Sequence, residues 1–61
     1  MLKFILNGQI VFQKEINNRE YLEYSKKQPG DIINGRTKIF MIKDVFIDYE
    51  EIRLEIVEYG I

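Results

Sequence analysis

Thr37-Lys38-Ile39-Phe40-Met41-Ile42-Lys43-Asp44-Val45-Phe46-Ile47-Asp48 is the longest β-preferring stretch of the chain, and it is apolar on both faces that a strand presents. A strand covered on one side alternates apolar and polar residues. This stretch does not. It is therefore expected either to run centrally with both faces covered or to be bent by a bulge near Lys43-Asp44.

Downstream, Asp48-Tyr49-Glu50-Glu51 reads as a turn, and Ile52, Leu54 and Ile56 alternate with Arg53 and Glu55 as a half-exposed strand. Upstream, Ile32-Ile33-Asn34-Gly35 repeats Ile5-Leu6-Asn7-Gly8, which suggests two turns with the same chemical requirement. Pro29-Gly30-Asp31 punctuates the chain before the second copy.

Between Leu2 and Ile16 two apolar runs flank Asn7-Gly8, a strong hairpin signal. A two-residue loop pairs Leu6 with Gln9 and scatters Phe4, Ile5, Ile10 and Phe12 over both faces. A three-residue turn with Gly8 as a left-handed bulge instead pairs Ile5 with Gln9 and Phe4 with Ile10. Leu2, Phe4, Ile10 and Phe12 then share one face, and that register is the expected one.

From Asn17 to Gln28 the period changes. Asn17 followed by Glu20 has the spacing of a capping box, and Arg19-Glu20-Tyr21-Leu22-Glu23-Tyr24 contains no glycine, proline or β-branched residue. A short helix is predicted, with Tyr21, Leu22 and Tyr24 or Ser25 facing the core and Lys26 and Lys27 at its carboxyl end.

The layout is α+β: a small antiparallel sheet of about four strands in two hairpins, with one short helix between them. An SH3-like small barrel is the alternative, since Pro29-Gly30-Asp31-Ile32 can also open a strand. One domain spanning residues 1–61 is expected, because 61 residues hold a single small core.

Composition removes whole classes of chemistry. Histidine, cysteine, tryptophan and alanine are all absent, so histidine-based acid/base catalysis, thiol redox centres and zinc fingers are excluded. Ser25 beside Lys26 and Lys27 does not make a nucleophile and base, because adjacent helical residues point in different directions. Asp44, Asp48, Glu50 and Glu51 are the densest acidic group, but an extended strand would hold Asp44 and Asp48 about 13 Å apart. No enzyme activity, metal or cofactor is expected. The apolar runs are far short of a membrane span and the first residues do not read as a signal peptide, so a cytoplasmic protein is expected.

Eleven isoleucines and six lysines against no alanine and three arginines suggest an AT-rich genome, and a short frame of this kind fits a bacteriophage. The net charge of −1 provides no global field for polyanions. Its distribution is uneven: residues 1–38 are net +3 and residues 39–61 net −4. The two halves can attract each other within the fold. Alternatively, Lys14, Arg19, Lys26 and Lys27 form a modest basic patch for nucleic acid.

One two-turn helix does not cover both faces of the Met41 strand. The uncovered side, or an unpaired edge, needs a partner. Tyr21, Tyr24, Tyr49, Arg53 and Tyr59 are the candidate protein-binding residues, since tyrosine and arginine are enriched at binding hot spots. These features point to a non-catalytic protein-binding module, such as a phage-encoded inhibitor or modulator of a host protein. A homodimer or a host protein is the expected partner.

Gly8-Gln9-Ile10-Val11-Phe12-Gln13-Lys14-Glu15-Ile16, followed by Pro29-Gly30-Asp31, resembles the amino-terminal pattern of AbrB-type regulators and their antitoxin relatives. The likeness covers about a third of the chain, with Gln13 where that family usually has proline. It implies, as an alternative, a dimeric swapped-hairpin regulator that binds DNA.

Overall fold

A computed structural model describes residues 1–60 of the chain. Asn7 and Gly8 form the turn between β1 (Leu2–Leu6) and β2 (Gln9–Lys14), with φ of 53° and 78°. Positive φ at both central residues is what a tight two-residue hairpin turn of matching twist requires. Leu6 consequently faces Gln9 and Ile5 faces Ile10. The register then shifts, leaving Val11 as an extra residue, and Phe4 meets Phe12. The expected register, with Gly8 as the bulge and Phe4 opposite Ile10, is corrected. The bulge lies within the strand, where it returns Phe12 to the face of Phe4 while the tight turn is kept.

Helix α1 (Asn18–Ser25) begins as its sequence indicates. The Asn17 side chain accepts from the Glu20 N–H at 2.8 Å, and the Glu20 carboxylate accepts in return from the Asn17 N–H at 3.4 Å. Tyr21, Tyr24 and Ser25 are half-buried on its inner side, at the spacing of one helical face. Leu22, expected inward, is 61% exposed, because it lies about 100° around the helix from Tyr21. Lys26 caps the helix and Lys27 follows it.

Beyond Pro29 the chain forms β3 (Ile32–Asn34), a short strand that the expected four-strand count lacked, and then β4 (Ile39–Ile47) and β5 (Ile52–Tyr59). Asn34-Gly35 does not repeat the first turn: Asn34 ends β3 and the Gly35 N–H bonds to the Lys38 carbonyl at 2.8 Å. Only glycine fits there. A Cβ on Gly35 would lie 2.8 Å from the Lys38 carbonyl oxygen and 3.0 Å from the Phe40 ring.

The sheet order is β2-β1-β5-β4-β3, with β1 parallel to β5 and all other pairs antiparallel. The expected antiparallel sheet is thus a mixed five-stranded one, and it does not close into the barrel considered as the alternative. The central strand is β5, not the Thr37–Asp48 stretch. Leu2, Phe4 and Leu6 align with Ile52, Leu54 and Ile56, so docking the first hairpin on β5 puts all six on one face. The Lys43-Asp44 expectation holds: between Ile42 and Asp44 the β4–β5 register shifts, and Lys43 is the extra residue. The turn at residues 48–51 also holds, closed by the Asp48 N–H donating to the Glu51 carbonyl at 2.8 Å.

The core is small. Leu2, Ile42, Ile52, Leu54 and Ile56 are buried, and Ile16, Tyr21, Tyr24, Phe4, Phe40 and Val45 are among the side chains packed against them. Helix α1 is tied to the β4–β5 turn by Tyr21 Oη, which donates to the Asp48 carbonyl at 3.1 Å. The accessible surface is 4888 Å², against roughly 4,200 Å² for a typical folded monomer of this mass. An open sheet with one short helix accounts for that excess.

Candidate protein-binding surface

Paired residues on neighbouring strands point to the same side of a sheet, so the registers define the face opposite α1. Ile10 on β2 pairs with Ile5 on β1, and Val57 on β5 pairs with Met41 on β4, which pairs with Ile32 on β3. Each strand thus contributes one apolar side chain to the helix-free face, in two groups, because Ile5 is registered with Glu55 on β5 and Glu55, with Lys43 beside it, lies between Ile10–Ile5 and Val57–Met41–Ile32. The next paired row, Tyr59 with Ile39, widens the second group at one end. Ile10, Ile32, Ile39 and Tyr59 are 53%, 43%, 45% and 53% exposed, while Ile5, Met41 and Val57 are half-buried beneath them.

Beyond Glu55 the far end of this face is charged as well. Glu51 bridges Lys3 at 2.6 Å and Arg53 at 3.2 Å, and the Arg53 guanidinium lies 5.4 Å from the centroid of the Phe46 ring. An apolar zone beside a fixed charged zone is the usual anatomy of a recognition surface.

The adjoining edge is open. Past Ile42, whose N–H and C=O bond to the Asp31 carbonyl and the Gly30 N–H, the outer edge of β4 has no backbone partner among the described residues. Asp44 blunts this edge by accepting from the Val45 N–H at 3.0 Å.

The five candidate binding residues do not gather into one patch. Tyr59 belongs to the second apolar group, and Arg53 lies on the same face at its charged end. Tyr49 sits on the tip of the β4–β5 turn, 90% exposed, at the far end of β5 from Tyr59. Tyr21 and Tyr24 face the core from the helix. The residues Ile5, Ile10, Ile32 and Val57 of this face were not singled out from sequence. Their signal is the residue-by-residue apolarity of both strand faces, which becomes a surface only once the registers are known.

Of the basic candidates, Lys14 is paired with Glu20 at 3.0 Å. Its pKa is raised, first by its hydrogen bond to Glu20 and then by the carboxylate charge. Arg19 and Lys26 share the outer side of α1 with Leu22 and Glu23, and Lys27 is half-buried. Lys3–Glu51 and Lys38–Glu58 are ion pairs between the basic and acidic halves of the chain. Ser25 Oγ is engaged by the Leu22 carbonyl at 2.8 Å. No helix among the described residues is long and apolar enough to cross a membrane. Comparison with protein-family models, with curated proteins and with solved structures gives no match for this chain.

Proposed function

We propose that this chain is a non-catalytic protein-binding module that attaches through the helix-free face of its sheet, in keeping with a bacteriophage-encoded inhibitor or modulator of a host protein. The carrying observation is that Ile10, Ile5, Val57, Met41 and Ile32 place one apolar side chain from each strand on a face that no helix covers, with Glu55 between Ile5 and Val57. Burying exposed apolar area releases about 25 cal/mol per Å², so this face is a source of binding free energy that the monomer leaves unused.

The alternative, a DNA-binding regulator, has less support. Four cationic side chains, Lys3, Lys14, Lys38 and Arg53, are already engaged by carboxylates. A second copy of the chain is the other candidate occupant of the helix-free face.

Affinity capture from a bacterial lysate, with and without nuclease, tests the proposal. One stoichiometric protein retained after nuclease and across a rise in salt supports it. Recovery that disappears with nuclease, or falls steeply with salt, identifies a nucleic-acid binder instead. Concentration-dependent sedimentation without any captured protein identifies a self-assembling subunit.

A further inference from the structure

We propose that the helix-bearing face carries a second docking site, a groove for an acidic protein segment that presents a bulky apolar side chain beside a carboxylate. The proposal rests on the protein-binding reading for the nature of its occupant, but it concerns the opposite face of the sheet. Helix α1 covers only part of the face it packs on. The rest is an open groove of about 530 Å³ to which Phe12, Phe4, Ile56, Phe40 and Ile33 contribute, one from each strand, and which no residue of α1 lines. Its volume lies in the range of sites that seat a large side chain or small ligand.

Charge selects the occupant. Arg36 stands on the groove and, among the described residues, forms no ion pair. No carboxylate lines the groove, and Glu58, opposite Phe40 in the ladder, is already engaged by Lys38. An unpaired guanidinium beside three phenylalanines favours a carboxylate held next to an apolar group. The loop that carries Arg36 is braced, because Gly35 packs against the Phe40 ring and its N–H bonds to the Lys38 carbonyl at 2.8 Å.

The test titrates the ¹⁵N-labelled full chain with three synthetic hexapeptides: acetyl-Asp-Asp-Leu-Phe-Asp-Asp-amide, its counterpart with lysine for aspartate, and its counterpart with alanine for Leu-Phe. The acidic Leu-Phe peptide is expected to bind about tenfold more tightly than the lysine peptide, as one charge-assisted contact implies. Its shifts should centre on Val11, Phe12 and residues 33–36, and the alanine peptide should not bind. Arg36→Gln, with an otherwise unchanged spectrum, should bring the acidic and lysine peptides to within about threefold of each other. Ile39→Lys, altered on the other face, should bind the acidic peptide as the parent does, so its loss of lysate capture would report on that face alone. Equal binding of acidic and lysine peptides, no binding at millimolar concentration, or shifts confined to the helix-free face would overturn the proposal.

Discussion

Phe4 and Phe12 face each other across β1 and β2 with ring centroids 5.2 Å apart and planes inclined by 32°. The contact coexists with a two-residue turn because Val11 is extruded between Ile10 and Phe12. Deleting Val11 would keep Phe4 opposite Phe12 in a regular ladder. The deletion variant is expected to fold, with a stability change of about 1 kcal/mol or less, while losing the irregularity that protects edge strand β2. Denaturant unfolding and sedimentation check this: the variant should remain cooperative and associate more than the parent, and collapse of the hairpin would refute the register.

Asn17 and Glu20 close the amino end of α1 by reciprocal hydrogen bonds. Asn17→Ala removes the acceptor of the Glu20 N–H and should cost about 1 kcal/mol in denaturant unfolding. Asn17→Asp, which keeps an acceptor and adds a charge at the positive end of the helix dipole, should restore most of that loss.

The Glu20 carboxyl is held below its ordinary pKa, first by the hydrogen bond from Lys14 and then by the Asn17 N–H. A carboxylate depressed in the folded state stabilises it above the unfolded value, about 4.3, and that contribution is lost as the pH falls through the lower folded value. Lys14, whose pKa is raised, stabilises below its ordinary value of about 10.4, and its contribution is lost as the pH rises through the higher folded value. A side-chain NMR titration should therefore place the Glu20 midpoint below that of an ordinary glutamate. Lys14→Gln should move it part of the way back, the Asn17 hydrogen bond remaining.

Gly35 holds its loop against Phe40, and an alanine there would collide with both the ring and the Lys38 carbonyl. Gly35→Ala is expected to destabilise the fold by roughly 1–3 kcal/mol, because a backbone atom must move. The aromatic ring resonances of Phe40 should shift with it. An unchanged melting curve and spectrum would mean that the loop does not approach Phe40 this closely.

Several features set by neighbours in sequence were legible, although the Asn7-Gly8 register and the outward placement of Leu22 were not, and those set by distant pairing were not legible either. Asn17 and Glu20 lie three residues apart, so their capping box can be read directly, as can the turn at residues 48–51 and the alternation of Ile52, Leu54 and Ile56. The disruption at Lys43-Asp44 was legible because apolar residues continue on both sides of a polar pair. The parallel match of Leu2 with Ile52 and Leu6 with Ile56 joins the two ends of the described chain and has no local signal. Without that pairing, a central position for the Thr37–Asp48 stretch stayed open beside the bulge that the structure shows. The binding surface follows the same logic: the uncovered flank at Met41 was visible, but Val57 beside it, and Ile5 and Ile10 beyond Glu55, depend on β5 standing between β4 and β1.

The most direct measurement compares lysate capture by the parent chain with capture by Ile39→Lys, a substitution at a 45% exposed site on the helix-free face. Surface changes at such positions usually leave stability within about 0.5 kcal/mol, so the two chains should unfold alike. The parent should retain one nuclease-resistant protein in stoichiometric amount, and Ile39→Lys should lose most of it. Equal retention by both chains would place the binding surface elsewhere, and no retention by the parent would contradict the account at its root.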